Sequence, residues 1–416
     1  MYIRREIEGR VIKYLKTPEI IAIVGPRQCG KTTLLNEIFK RLKKAVYIDF
    51  EDRDILDLFN SDIRTFYSLH VKGNDYLFID EFQYARDGGQ KLKYLYDTYR
   101  IKIVISGSSV LDLTHQAVKY LVGRIFIFHL SPFSFREFLS CRSPSLYENV
   151  YIDLKKKVDL FLQGKRKTPP VLSEPLIKEM RRYYGEYAVF GGYPRVVLTN
   201  DAEEKVTVLK NIYNTYLLRE IRDILQLSTE RELQKLVKAI SFQVGSMVVY
   251  NELGQIASLD YSKLMKHLNI LEKTFVIKMI TPFCRNKRTE IAKSPKIYFW
   301  DNGFRNVVIG NFQPLNERID RGMLNENFAA GQLLKSGYEI KYWRTKSHAE
   351  IDFVLEETDA NITIVEVKSV LSTNKASRAL FNFREKYHVN RTIILSENFS
   401  FFDKERDILF LPLFLV

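Results

Sequence analysis

The stretch Gly25-Pro26-Arg27-Gln28-Cys29-Gly30-Lys31-Thr32-Thr33 carries the spacing G-x-x-x-x-G-K-T, a phosphate-binding loop. Backbone N–H groups from Gln28 to Lys31 are expected to wrap a β-phosphate. Lys31 reaches the β- and γ-phosphates, and Thr32 holds Mg²⁺. Glycines at 25 and 30 allow backbone angles and close approach that a Cβ blocks. Further on, Tyr76-Leu77-Phe78-Ile79 runs into two carboxylates, Asp80 and Glu81. Asp80 is placed to hold Mg²⁺ through water and Glu81 to polarise an attacking water, with Gln83 assisting. Ile101 to Ile105 ends in Ser106-Gly107-Ser108-Ser109. Ser106 or Ser108 is a candidate γ-phosphate sensor; a helix cap at Ser108 or Ser109 is the alternative. Arg124, just before Ile125-Phe126-Ile127-Phe128, is a candidate arginine finger for a neighbouring subunit's γ-phosphate, or else a plain surface charge.

A second set of chemical residues lies near the other end of the chain. Asp352 falls in one apolar run and Glu366 and Lys368 in the next, Val365-Glu366-Val367-Lys368. Residues two apart in a strand share a face, so Glu366 and Lys368 point with Ile362 and Ile364 toward a covering helix. A carboxylate and a lysine there must be paired or must ligate a metal. Asp352 and Glu366 together suit Mg²⁺ or Mn²⁺, with Lys368 orienting a water and Glu326 as a supporting ligand. A buried ion pair without catalysis is the competing reading.

The elements that position these groups follow from patterning. Residues 1–16 read as a basic amphipathic lead-in helix. Repeated strand–helix units, with the phosphate loop after the first strand, imply a parallel α/β sheet covered on both faces. Residues 140–175, with Lys155-Lys156-Lys157 and Lys165-Arg166-Lys167, read as an exposed insertion or linker. Helix, turn, helix and hairpin between 251 and 299 form a winged-helix pattern. Its second helix, from Tyr261, carries Lys263, Lys266 and His267 toward DNA. Its wing carries Arg285, Lys287 and Arg288. Such modules also serve as protein contacts. Beyond it, helix 321–336, strands 339–344, 350–355 and 361–370, helix 375–387 and strand 391–396 follow in αβββαβ order. The apolar segment from Ile408 reads as a final strand.

The chain has 416 residues, so on the order of two to four domains are expected. With 46% hydrophobic and 27% charged residues it is globular rather than disordered. The formal charge of +14 favours a polyanionic partner, nucleic acid before an acidic membrane. Cys29, Cys141 and Cys284 are scattered and odd in number, which fits a reducing cytoplasm without a disulfide framework. Zinc at His267 or Cys284 lacks a second ligand pair. No signal peptide and no membrane span are expected.

GPRQCGKTT, LFIDE, ISGSS and the GR before the last core strand together resemble an AAA+-type ATPase. Ser131-Pro132-Phe133-Ser134-Phe135-Arg136-Glu137-Phe138 resembles the "PLSFxEF" segment of one prokaryotic branch, archaeal and bacterial AAA-type ATPases with a conserved C-terminal half. The resemblance runs nearly the whole chain; Cys29 stands where many relatives have Val or Ser. FGGYPR at 190–195 matches that branch's "GGYPR". By resemblance it is a lid over the nucleotide, with Pro194 near the base and Arg195 reaching phosphate. PKIYFWDNG at 295–303 matches "PKxYFxDxG", and the αβββαβ order with D…ExK resembles the restriction-endonuclease-like core.

The expected fold class is thus α/β: a P-loop parallel-sheet ATPase core (1–139), a helical lid (140–235), a winged-helix domain (236–310) and a C-terminal α/β restriction-endonuclease-like domain (311–416). The expected function is Mg²⁺-dependent ATP hydrolysis used as a switch or motor on DNA, with a second Mg²⁺ or Mn²⁺ in a possible nuclease domain. The alternative is an ATP-dependent signalling or scaffold protein whose C-terminal domain only binds. The expected partners are ATP, DNA and, through Arg124 in trans, further copies of the chain.

Overall fold

The computed structural model describes every residue except 1, 109–118, 163–167, 171, 226, 228–229, 287–289, 291–292 and 359–360. The chain divides into two units, Met1–Pro132 with Asn269–Val276, and Phe133–Leu268 with Ile277–Val416.

In the first unit, the Ile- and Val-rich run forms β1 (Ile20–Val24), buried at every position. β2 (Ala45–Asp49), β3 (Tyr76–Asp80), β4 (Lys102–Gly107) and β5 (Ile125–His129) complete an all-parallel sheet in the order β2-β3-β4-β1-β5. Helices Lys31–Phe39, Arg53–Ser61 and Gly88–Tyr99 lie between the strands in sequence. Asp52 starts one of them by accepting the N–H groups of Asp54 and Ile55. Leu34, Leu35 and Ile38 pack with Ile21, Ile23, Phe78, Val104 and Phe128, and the N-terminal helix Glu8–Tyr14 adds Val11. Parallel strands need such cover, because their side chains are apolar on both faces.

The second unit begins at Phe133. Phe135 and Phe138 pack there with Tyr187, and Phe135 also meets Phe328 and Phe414. The stretch expected to be a linker is mostly regular helix, Phe135–Arg142 and Ser145–Leu162. Tyr151, Val158 and Phe161 bury one stripe of the second helix, while Lys155–Asp159 and Lys157–Asp153 pair along its outside. Helices Arg231–Phe242, Tyr250–Ala257 and Tyr261–Lys273, the last ending in the segment Asn269–Val276 that groups with the first unit, precede an antiparallel pair, β6 (Ile277–Ile280) and β7 (Lys296–Phe299).

After helix Arg321–Lys335 come β8 (Ile340–Arg344), β9 (Glu350–Thr358), β10 (Asn361–Val367), helix Arg378–Lys386, β11 (Arg391–Ser396), β12 (Phe401–Asp403) and β13 (Ile408–Pro412). They form one sheet in the order β12-β13-β11-β10-β9-β8. β8, β9 and β10 are antiparallel neighbours, whereas β10, β11 and β13 run parallel. β10 stops at Val367, short of the expected 370, so Lys368 lies just past the strand end. The short β12 has no counterpart in the elements expected from patterning.

The two sequence signatures of the middle of the chain explain each other. Gly191 and Gly192 pass against Asp301 and Phe133, and Gly303 passes against the Phe190 carbonyl, each too close for a Cβ. The buried Asp301 carboxylate accepts N–H groups from Gly192 and Phe304, joining both segments in one turn. Burial raises that carboxyl above the usual range, against the pull of Lys335 and these donors.

Candidate functional site

The phosphate loop follows the C-terminal end of β1. Gln28 (φ 60°) and Gly30 (φ 95°) adopt left-handed backbone, and Gly30 precedes a helix whose first turn has no side-chain cap. Its N–H groups are therefore available to an anion. A Cβ on Gly25 would overlap the Leu130 carbonyl oxygen. Lys31 is buried and its Nζ donates to the Gly25 and Pro26 carbonyls, both at 3.1 Å. Arg27, Gln28, Thr32 and Thr33 are exposed. Cys29 is fully buried with its Sγ 3.2 Å from the Leu130 carbonyl, and burial pushes its thiol up, so it is a packed loop residue rather than a reactive thiol.

Sequence reasoning missed Arg5. This buried arginine donates from Nη1 to the Cys29 carbonyl (2.7 Å) and from Nη2 to the Ser131 carbonyl (2.6 Å). It ties the back of the loop to the segment after β5. A basic lead-in helix gave no signal of this, because both acceptors are backbone atoms distant in sequence.

The carboxylates of β3 are organised by its neighbours. Asp80, 1% exposed, accepts hydrogen bonds from Tyr47 Oη of β2 (2.8 Å) and from Ser106 Oγ of β4. Burial and Asp80 raise the Tyr47 phenol well above its ordinary value, so it stays a donor. Ser106, expected as a γ-phosphate sensor, thus spends its hydroxyl on Asp80. Glu81 sits in left-handed backbone (φ 52°) and accepts from Gln83 Nε2; Gln83 Oε1 in turn takes the Ser108 N–H at 3.4 Å. Asp80 and Glu81 therefore face different partners, although they are adjacent. Ser109 lies outside the described residues.

Arg124 is at the opposite, N-terminal end of the strands. β5 runs parallel to β1 and Arg124 precedes it, its carbonyl accepting the Ile20 N–H at 2.8 Å. A five-residue strand, roughly 16 Å, separates it from the end that carries the loop. Its guanidinium pairs with the half-exposed Asp97 at 3.3 Å. Pro194 and Arg195 belong to the second unit, Pro194 as first residue of helix Pro194–Leu198 and Arg195 exposed.

The C-terminal carboxylates Asp352, Glu366 and Glu326 lie within electrostatic reach of one another. Asp352 Oδ2 accepts the Val367 N–H at 2.7 Å, and Lys368 Nζ pairs with Glu366 Oε1 at 2.7 Å. Glu366 is 4% exposed and its Oε2 has no hydrogen-bond partner. Burial, although Asp352 is not fully enclosed, and then the Glu326 charge push the Asp352 carboxyl up to about 7. Glu326 is engaged elsewhere: Tyr298 Oη donates to it at 2.5 Å and Lys296 Nζ at 3.1 Å. Among the described residues no three His, Cys, Asp or Glu side chains converge as a metal-ligand group. The expected set of Glu326 with Asp352 and Glu366 is therefore not assembled, since lysine and tyrosine take Glu326. The buried oxygen of Glu366 beside Asp352 still fits a cation.

Of the basic residues, Lys263 and Lys266 are exposed on helix Tyr261–Lys273, and Lys263 also lies 3.5 Å from Asp260. His267 corrects the expectation. It is 2% exposed, its Nδ1–H donates to the Lys263 carbonyl, and burial lowers its pKa, so it is a neutral core residue. Arg285 is exposed with its guanidinium 5.4 Å from the Tyr387 ring centre. Lys287 and Arg288 lie outside the described residues. No helix among the described residues is long and apolar enough to cross a membrane.

Residues 17–139 match the family model of an AAA domain, and residues 181–315 and 321–414 each match a domain of unknown function. An uncharacterized protein of Methanocaldococcus jannaschii is 26% identical over 429 residues, covering 98% of this chain and 86% of its own length. One of Haemophilus influenzae is 22% identical over 406 residues, covering 93% and 92%. Among solved structures, a Walker-type ATPase of Pyrococcus abyssi superposes with a TM-score of 0.48 at 17% identity, over 74% of this chain and 96% of that one.

Proposed function

We propose that this chain, whose residues 17–139 are an AAA-type P-loop ATPase domain, hydrolyses ATP with Mg²⁺ and uses the cycle as a switch or motor on DNA. The observation that carries the ATPase reading is the arrangement of Asp80 and Glu81. Asp80 is fixed as an acceptor by Tyr47 and Ser106, which suits it to the waters of a Mg²⁺ ion on Thr32. Glu81 is held by Gln83, a residue that reaches Ser108 just past the end of the neighbouring strand β4, which suits it to orient and polarise water. Lys31 leaves the loop carbonyls for the β- and γ-phosphates when nucleotide enters. Arg124, at the end of the strands away from this chain's own loop, acts on the γ-phosphate of a neighbouring copy. Pro194 and Arg195 close over the nucleotide.

DNA is the partner that the +14 charge and the exposed Lys263, Lys266 and Arg285 favour, together with Lys287 and Arg288. The order of three helices and the β6–β7 hairpin supports a winged helix, and helix 321–335, β8, β9, β10, helix 378–386 and β11 support a restriction-endonuclease-like core. In that core Asp352 and Glu366 would hold Mg²⁺ or Mn²⁺, and Lys368, paired with Glu366, would steady a phosphate oxygen. A bound divalent ion supplies a water of lowered pKa and offsets charge on the leaving oxygen. The test is ATP turnover measured with and without varied DNA, with DNA length followed in the same tubes in Mg²⁺ and in Mn²⁺. DNA-stimulated turnover supports the switch. DNA left intact in every cofactor condition removes the nuclease part and leaves the ATPase part standing.

A further inference from the structure

The carboxylate cluster of the C-terminal sheet contains a cation that does not come from that sheet. Lys296 lies on β7, the second strand of the hairpin, and is 1% exposed. Its Nζ sits 2.5 Å from Glu350 Oε1 and 3.1 Å from Glu326 Oε1, with the Tyr342 ring 5.6 Å away. Tyr298, two residues on and so on the same face of β7, donates to the same Glu326 oxygen at 2.5 Å. Asn327, next to Glu326, fixes the register: its Oδ1 accepts the Phe299 N–H at 2.7 Å and its Nδ2 donates to the Phe299 carbonyl at 3.0 Å. Burial works against charge on Lys296, but Glu326, Asp352 and Glu350 outweigh it and hold the ammonium protonated.

The charges show what this lysine does. Glu326, Glu350, Asp352 and Glu366 share the cluster with Lys296, Lys368 and Arg344. Lys296 and Tyr298 occupy Glu326, while Lys296 and Arg344 occupy Glu350. Glu366, almost wholly buried, keeps Oε2 unpartnered beside Asp352. We propose that Lys296 is the resident cation of this site: it withdraws Glu326 and Glu350 from the ligand set and leaves Asp352 and Glu366 as the carboxylates for one divalent ion. The hairpin that supplies Lys296 is thereby part of the site, and Lys296 is a positioning residue rather than a catalytic one. This rests on the metal-site reading of the C-terminal domain.

Calorimetric Mn²⁺ titration of the full-length, nucleotide-free protein tests it, in an Asp80→Asn background that removes the carboxylate expected to hold metal at the nucleotide site. Lys296→Met removes the ammonium from two carboxylates and leaves Glu326 only Tyr298 and Glu350 only Arg344, so it should add a second Mn²⁺ equivalent or tighten binding by about tenfold or more, whereas Lys296→Arg should match the parent. Glu326→Gln should change affinity by less than about tenfold, while Asp352→Asn should cost about a hundredfold or more. A folded Lys296→Met protein with unchanged stoichiometry and affinity would overturn the assignment. So would a Glu326→Gln loss as large as that of Asp352→Asn, which decides the matter even if Lys296→Met does not fold. A parent that takes up no Mn²⁺ while Lys296→Met does would retire the nuclease reading and keep Lys296 as the cation of the cluster.

Discussion

Single side chains in this protein are often held by partners that sequence does not reveal. Asp320 shows how much depends on one carboxylate. It accepts from Arg318 Nε and Nη2, both at 2.8 Å, and from Arg305 Nη1; Arg305 and Arg318 are both buried. Burial opposes its ionisation, but those hydrogen bonds overcome it and hold the carboxyl at about 2, below the ordinary 3.8. A depressed carboxyl adds stability above pH 3.8 that is lost as pH falls through 2. Asp320→Asn should therefore flatten the acid limb of thermal stability in that window. Asp320→Ala strands two buried guanidinium groups and should cost about 3–5 kcal/mol by denaturant melting. Arg5 is the comparable residue at the nucleotide site. Arg5→Lys keeps a charge but cannot bond the Cys29 and Ser131 carbonyls together, so the KM for ATP should rise with little loss of fold. An unchanged KM would make Arg5 a purely structural residue.

At the scale of elements, glycines separate close approach from simple helix interior. Gly303→Ala must overlap the Phe190 carbonyl and should unfold or severely destabilise the second unit. Gly185, inside helix Glu174–Phe190, has open space for 4 Å around the position a Cβ would take, and Gly185→Ala should stabilise by about 0.5–1 kcal/mol. Melting both variants side by side checks the contrast. The same distinction explains what sequence could show. The phosphate loop and the β1 and β3 runs are legible because backbone geometry there demands Gly25, Gly30 and unbroken apolar residues. The GGYP and DxG signatures are visible as motifs, but their mutual packing is not, since the two segments are far apart in sequence. Helix Ser145–Leu162 reads as a linker because the run Lys155-Lys156-Lys157 and the polar, proline-ended stretch that follows from Gln163 to Pro170 outweigh its apolar residues in the reading. Lys296 escapes notice as one lysine in a basic stretch; only the facing Glu326 and Glu350 give it meaning.

For the molecule as a whole, two predictions concern assembly and partner. If Arg124 completes a neighbour's site, Arg124→Ala and Lys31→Ala proteins, each inactive alone, should regain partial ATP turnover when mixed. A finger supplied in trans is worth about 10³–10⁵ in rate. No recovery together with a monomeric mass would return Arg124 to the role of an ion-paired surface residue. If DNA is bound through the hairpin and the exposed helix, affinity should fall steeply with salt. Alanine at Lys263, Lys266 and Arg285 should weaken all sequences alike and flatten the slope. The measurement that bears most directly on the ATPase itself is single-turnover MgATP hydrolysis with parallel nucleotide-binding curves for wild type, Lys31→Ala and Glu81→Gln. Wild type should bind and hydrolyse, Lys31→Ala should lose binding, and Glu81→Gln should bind normally while hydrolysing about 10²–10⁴ times more slowly. Phosphate release by Glu81→Gln at the wild-type rate, or wild-type ATP affinity in Lys31→Ala, would contradict the assignment of this loop and this carboxylate.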